Sequence, residues 1–501
     1  MNRASPRKNA PVLVWEHLLS RPRKSRGNLS TQLVTSFIDA IDGNMIPEGV
    51  RLPSSRSLAD NLRLGRNTVI AATSSLVEQG YLISKDRSGL FVAPRRAAST
   101  PARKPDRPAD KVDWRARLSL SSDEGEREPI EALPPVTHNF KYGQFDLSTF
   151  PVSHWRMCER SASAITEMAE WGRDMFDRDD VSLIESLRRH VLPSHGIWAE
   201  PDEILVTLGG QEGRFLVASL LCRPGTTTGI ENPGMPDIND IVSTTPTRRV
   251  YLPIDDEGVS LSAALRQCDV AFVTLGHQCP TTAVMSLERR LALLDVAARR
   301  EMIVVEDTYE TETVAQSNVV PALKSLDREE RVIHIGSLSK SIAPGLRIGF
   351  VVASPIVIGE LREIRRRIHR HPPGNVQRAL AMFIDRGYYH SFLRRVSGEL
   401  NQRTQAFKKA LARWLPDATY VHHEGSSTFW VRLPDRENAS RLCKELRQRG
   451  LVMEAGDRFF FDEPRTNFMR MSVSQVSATA IDGGFKIIAS VRKRRGRVGA
   501  P

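Results

Sequence analysis

The chain has 501 residues, 40% of them hydrophobic, and carries a net charge of +12 from 71 Lys+Arg against 59 Asp+Glu. That length exceeds one ordinary core, so two or more domains are expected, and the charge favours a polyanionic partner. The best apolar run, "RFLVASLLC" at 214–222, is under half of the roughly 20 residues a spanning helix needs, and the basic N-terminus has no signal-type stretch, which excludes a membrane segment or export. The five cysteines are scattered without CxxC pairs, so neither a disulfide framework nor a metal site is expected, and a cytoplasmic location fits.

Residues 1–27 hold seven bases against Glu16 alone, and "RKRRGR" (Arg492 to Arg497) sits near the other end. These read as a disordered basic arm (1–27) and a basic tail (491–501). Between 28 and 93 the text is well punctuated. "STQLVTSFIDAID" places Leu33, Phe37, Ile38 and Ile41 at helical spacing, with Ser30 able to cap the start. A loop follows, then "SRSLADNL" as a short helix capped by Ser54 or Ser55. The turn "RLGR" leads into a longer helix, "NTVIAATSSLVEQG", closed by Gly80. "YLISKDRSGLFVAP" then reads as two short strands around a turn at 86–89.

Helix, helix, turn, helix, hairpin is the order of a winged helix-turn-helix, an α module with a small β wing. Residues 28–93 contain six Lys/Arg and six Asp/Glu, so only the placement of charge argues for DNA. The start of the second helix of the motif carries Arg66, Asn67 and Thr68, where polar groups reach phosphates and base edges. Arg51, Ser55, Arg56, Arg63, Lys85 and Arg87 fall in the preceding loop, the scaffold helix, the turn and the hairpin tip.

From 94 to 138 the chain is rich in Pro, Ala, Arg and acid, with little apolar periodicity, and reads as a linker. From 139 to 490 apolar strands alternate with amphipathic helices, which predicts an α/β domain with a mostly parallel sheet. The last part, from about 355, reads as long helices and a smaller α+β subdomain.

Within this region, Lys340 follows the strand "VIHIGS", at the carboxyl edge where ligands bind. Asp307 and Tyr309 end another strand, "VVEDTYE". "LGGQEG" joins a strand to a helix, where the backbone amides of Gly210 and Gln211 suit a phosphate. Ser337, Ser339 and Arg347 would complete such a cradle, and an arginine inside the apolar strand "GLRIGF" calls for a buried anion. A lysine amine, a carboxylate for a pyridine nitrogen, a phenolate donor and a phosphate cradle are together what pyridoxal phosphate requires.

Two resemblances follow from these strings. "GVRLPSSRSLADNLRLGRNTV" resembles the GntR-type bacterial regulators, which implies that Arg56 and Arg66 contact DNA and that the turn at 87–89 is the wing. "SLSKSIAPGLRIGF" resembles fold-type I aminotransferases. That likeness implies Lys340 holding the cofactor, Asp307 on the ring nitrogen, Tyr309 on the phenolate oxygen and Arg347 on phosphate. It also places Met235 and His277 among the cofactor-binding residues, and gives a substrate or effector carboxylate to Arg470 in "NFMRMSVS".

Together the two halves resemble the MocR family over nearly the whole chain. The resemblance implies a cytoplasmic, pyridoxal phosphate-dependent regulator of transcription that binds double-stranded operator DNA. It also implies a head-to-tail homodimer and a response to an amino-compound effector or to the cofactor itself. Some positions depart from the family. Met235 stands where a tyrosine is usual over the ring, Cys279 and Thr282 replace an aromatic residue and glycine, Thr308 replaces a second aspartate, and "RSGLF" replaces "GSGTF" in the wing. Cofactor binding with little or no productive turnover is therefore expected. The alternatives are an active aminotransferase tethered by its DNA-binding domain, and a regulator that has lost the cofactor for another small ligand.

Overall fold

The computed structural model describes residues 15–19, 28–85, 88–94, 117, 134–143, 146–308 and 320–498. The chain divides into two units, 1–125 and 126–501.

In the first unit, helices Leu29–Asp42, Ser55–Leu62 and Arg66–Glu78 precede an antiparallel hairpin of β1 (Leu82–Lys85) and β2 (Gly89–Val92). Asn28, not Ser30, caps the first helix: its side chain accepts the Ser30 N–H at 3.0 Å, so Ser30 lies inside the first turn. Ser54 caps the second helix through the Ser57 N–H at 3.1 Å, leaving Ser55 as its first residue. Leu33, Phe37 and Ile41 meet Leu58, Leu62, Val69 and Leu76 in one core. Each such side chain contributes about 1.5–3 kcal/mol on burial, which lets a module this small fold.

Part of the predicted arm packs on the first unit's core. A helical turn, Trp15–Leu18, buries Trp15 and Leu19 in this core, with the Trp15 ring 6.4 Å from that of Phe37. The rest of residues 1–27 lies outside the described residues, as does nearly all of the predicted linker at 94–138.

The second unit begins before 139. Thr137 N–H donates to Gly450 O at 2.7 Å, and β3 (His138–Asn139) pairs in parallel with β14 (Leu451–Val452). Its main sheet contains β4 (Ile204–Thr207), β5 (Thr227–Asn232), β6 (Arg248–Asp255), β7 (Gly258–Val259), β8 (Val270–Val273), β9 (Ile303–Thr308), β10 (Val332–Ser337) and β11 (Gly349–Val352). The spatial order is β4-β11-β10-β9-β8-β5-β6-β7. Neighbours from β10 through to β6 run parallel, whereas β11 runs antiparallel to both β10 and β4. The strands are apolar on both sides because each face carries a core. Val305, Ile335, Leu205 and Val351 pack on one face, and Val304, Val332, Val206 and Phe350 lie in the cores of the other.

The reversed strand corrects one expectation. Arg347 is not inside a strand and is not buried: β11 starts at Gly349, and Arg347 precedes it as an exposed residue in the left-handed region, φ 51°. Because β11 enters from the end at which the parallel strands finish, Arg347 still arrives at their carboxyl edge.

The smaller subdomain is a four-stranded antiparallel sheet, ordered β12 (Thr419–Val421), β13 (Thr428–Arg432), β16 (Phe468–Ser472), β15 (Glu454–Ala455). Helices Tyr388–Trp414, Ala439–Arg447 and Ala478–Val498 contribute to its core, where Phe140, Phe407, Phe429 and Phe485 meet. The predicted basic tail starts inside a helix. Ala478–Val498 covers its described residues, and Arg492 bonds Asp417 and Glu437. Among the described residues no helix is long and apolar enough to cross a membrane.

Candidate functional site

The carboxyl ends of β9, β10, β4, β5 and β8 gather the predicted cofactor residues. Asp307 ends β9 beside β10, where its Cα partner is Ile335. Strand alternation separates it from its neighbours. Asp307 shares the face of Val305, while Glu306 and Thr308 share that of Val304. On that far face the Glu306 carboxylate bonds the Leu323 N–H and His334 Nδ1, and Thr308 Oγ1 donates to Ile335 O. The departure from the family at Thr308 therefore points away from the site.

Asp307 is buried and only half satisfied. Arg214 Nη1 donates to its Oδ2 at 2.6 Å, while Oδ1 has no hydrogen-bond partner among the described residues. A buried orphan acceptor is costly unless something donates to it. Arg214 also donates to Gln211 Oε1 at 2.7 Å, which ties the first turn of the helix to the same guanidinium. The sequence reading missed Arg214. Its signal was an arginine one turn into the apolar helix Gly210–Leu221, on the buried side.

The helix Gly210–Leu221 starts at the turn after β4, with Gly209 at φ 76° as its uncapped N-terminal neighbour. A Cβ at Gly209 would come within 3.1 Å of the Arg347 guanidinium, which donates from Nη2 to Leu208 O at 2.7 Å. Free first-turn amides beside a guanidinium form an anion cradle. Gly349 makes the close approach possible, since a Cβ there would lie 2.7 Å from Gly209 C and 2.8 Å from Gly336 O. Ser337 is buried at the end of β10. Ser339 instead fastens the loop: its Oγ accepts the Ile348 N–H at 2.7 Å and donates to Ile348 O at 3.0 Å.

Lys340 falls in the helical turn Leu338–Ser341 directly after β10. Its side chain lies outside the described residues, and so does all of Tyr309.

The opposite wall holds Met235 and the loop after β8. Met235 is buried in the cluster that contains Cys279, Trp430 and Phe459. His277 is buried with Nε2 3.1 Å from Glu424 O. Thr282 takes up the left-handed conformation that favours glycine, φ 64°, an arrangement that costs a β-branched residue about 1–3 kcal/mol. A second residue missed from sequence, Glu231 at the end of β5, organises this loop. Its carboxyl accepts from Thr274 N, Thr274 Oγ1 and Gln278 Nε2 at 3.1, 2.5 and 3.2 Å. Burial pushes Glu231 up to about 8, against those hydrogen bonds and with help from the nearby Asp307 charge. Arg470, on β16, is buried beneath Tyr142.

In the first unit Arg51, Arg56, Arg66, Asn67 and Lys85 are exposed, and Ser55 and Thr68 are half-buried. Arg66 opens its helix behind Gly65, with no side-chain cap on the first-turn amides. Arg51 bridges to Phe91 of β2, and Lys85 Nζ sits 4.9 Å from the Phe91 ring centroid, so both bases belong to the wing. Arg87 lies outside the described residues.

Residues 29–92 match the family model for bacterial regulatory proteins of the gntR family, and residues 145–487 match that for aminotransferase class I and II. The HTH-type transcriptional regulator TauR of Rhodobacter capsulatus is 35% identical over 468 residues, covering 93% of this chain and 96% of its own. The chain belongs to the MocR-type GntR regulators. A second member of the group, the probable rhizopine catabolism regulatory protein MocR of Rhizobium meliloti, is 31% identical over 427 residues and 83% of each chain. Kynurenine aminotransferase of Pyrococcus horikoshii superposes with a TM-score of 0.68 at 24% identity, over 77% of this chain and 97% of its own. That likeness gives this regulator a fold-type I second unit.

The residues fit the cofactor of that fold. Asp307 Oδ1 offers the acceptor a ring nitrogen needs, and the Gly210 and Gln211 amides with Arg347 offer the cradle a phosphate needs.

Proposed function

We propose that this chain regulates transcription by binding an operator through residues 28–93 and pyridoxal phosphate through the second unit, with the residues between 93 and Thr137 as the linker. The observation that carries the reading is Asp307: a buried carboxylate with one oxygen on Arg214 and the other unpartnered, on the strand beside the one that delivers Lys340. The cofactor supplies an aldehyde that condenses with amines and a ring that withdraws electrons. Lys340 would hold it covalently, Asp307 would receive its ring nitrogen, Tyr309 its phenolate, and Arg347 with the Gly210 and Gln211 amides its phosphate. Ser337 lines the cradle, Ser339 positions the loop that carries Arg347, and Met235 and His277 form the wall.

An amino effector bound at this site would change DNA affinity only to the extent that it binds two forms of the protein unequally. The protein acts as a homodimer in the cytoplasm. Exposed Leu147, Ile165, Val181 and Trp198 on the second unit supply apolar surface for that association. Little or no turnover accompanies binding, because Met235, Cys279 and Thr282 alter the wall that would hold a substrate.

An absorbance titration of the full chain with pyridoxal phosphate, followed by amino donors and run beside a DNA gel-shift assay, tests this reading. A visible band that Lys340→Ala abolishes and an amine-dependent shift in operator affinity are expected. Steady release of keto acid, or a band indifferent to Lys340→Ala, would refute it.

A further inference from the structure

The family resemblance gives an effector's acid group to Arg470, yet the chain supplies a carboxylate of its own at that position. Glu454 and Arg470 are direct partners in the antiparallel β15–β16 pair. Arg470 Nη1 lies 3.7 Å from Glu454 Oε2, and the two side chains are only 5% and 11% exposed. The guanidinium sits 4.0 Å from the Tyr142 ring centroid and 5.7 Å from that of Phe459. Phe459 O accepts the Gly234 N–H at 2.9 Å, one residue before Met235. Tyr142 and Phe459 join Met235 and Cys279 in a single apolar cluster, so the ion pair belongs to the wall of the candidate site.

The pair is close but not clamped. At 3.7 Å the contact is longer than a hydrogen bond, and among the described residues Glu454 Oε2 accepts none. The other oxygen, Oε1, lies 3.7 Å from Nη1 of the half-exposed Arg458. Glu454 therefore has a second cation to turn to if its place at Arg470 is taken. An incoming carboxylate that makes two parallel N–H···O bonds to a guanidinium holds it better than an ion pair without hydrogen bonds. Neither buried charge is left uncompensated in such an exchange.

We propose that Glu454 is a tethered competitor for Arg470, which sets the concentration at which a carboxylate-bearing amino effector enters the site. The inference rests on the reading of Arg470 as part of the effector site. Every acid-bearing ligand must displace Glu454, whereas an uncharged one of the same size does not engage it.

The test is calorimetric titration of the full chain, without pyridoxal phosphate, using propionate and its neutral analogue propanamide. Glu454→Gln should bind propionate at least tenfold more tightly than the parent, with propanamide unchanged. The gain should vanish in Glu454→Gln/Arg470→Gln. Glu454→Asp, which withdraws the carboxylate by one methylene, should give a smaller gain and stands in if the glutamine variant does not fold. Unchanged or weaker propionate binding in a folded variant, a gain that survives loss of Arg470, or no propionate binding in any variant overturns the proposal. Propionate has no amine to react with the cofactor, so these outcomes are independent of whether Lys340 holds pyridoxal phosphate.

Discussion

Arg214 and Asp307 form a buried ion pair between helix and sheet, Nη1 to Oδ2 at 2.6 Å, with side chains 6% and 1% exposed. The pair joins the helix that begins at the proposed anion cradle to the strand whose carboxylate we propose receives the ring nitrogen. Both parts of the site are thereby fixed relative to each other before any ligand arrives. Removing one partner of such a pair leaves an uncompensated buried charge, which costs about 3–5 kcal/mol. Arg214→Met should lower the unfolding free energy of the second unit by that amount in urea. Arg214→Met/Asp307→Leu should lose less than the sum of the single changes, because the second substitution removes the stranded charge. Strictly additive losses would show that the two residues do not act as a pair.

Acid should weaken the second unit through His195. Burial, and then the charge of neighbouring His334, push its imidazole down from 6.5 to about 4, with Glu306 opposing. The ring lies 5.9 Å from that of His334. The folded state thus resists a proton that the unfolded chain accepts. The contribution is intact above the unfolded pKa and is lost as pH falls from about 6.5 towards 4. Its full size is on the order of 3 kcal/mol. His195→Phe should flatten the stability profile across that window and leave it unchanged at pH 8, as measured by urea unfolding at each pH. A profile with the same slope in both proteins would exclude His195 as its source.

The helix-turn-helix was readable from sequence because its signals are local: caps, a glycine stop and apolar residues at helical spacing. Even there the first cap moved from Ser30 to Asn28, since any Asn or Ser near a helix start offers the same acceptor. Lys340, Asp307 and the Gly210 turn were legible because each follows an apolar strand at a sheet edge. Arg347 was placed correctly at that edge but for the wrong reason, as an exposed left-handed residue looks the same in sequence as a strand arginine. Arg214 stood out only as an arginine on the buried side of an apolar helix, and Glu231 and Glu454 were not legible. Their meaning comes from partners 93, 43 and 16 positions away, at Asp307, Thr274 and Arg470, and no periodicity encodes such pairs. Trp15 was missed because the bases of residues 1–27 obscured a single apolar turn.

Arg66 is exposed at the uncapped start of its helix, the place from which we propose that it reaches a phosphate or a base edge. Arg66→Ala should weaken operator binding by about 1–3 kcal/mol, roughly five- to 150-fold. Gel shifts at several salt concentrations check this, and a phosphate contact is distinguished by a salt slope reduced by about 1. Uptake of pyridoxal phosphate should be unchanged, because the substitution lies in the other unit. Loss of both activities together would mean that this helix supports the fold and does not read DNA.

Arg347 offers the sharpest separation of phosphate from ring recognition. Its guanidinium borders Gly209 and is tied to Leu208 O, so it belongs to the cradle and not to the Asp307 end of the site. Hydrogen bonds to a charged group are worth about 1.5–3 kcal/mol. Arg347→Ala should accordingly weaken pyridoxal phosphate binding by roughly tenfold to a hundredfold in an absorbance titration. Pyridoxal, which has the same ring and aldehyde but no phosphate, should bind the parent and the variant alike. Equal losses for both compounds would mean that Arg347 shapes the loop, with Ser339 and Ile348, and does not hold the anion.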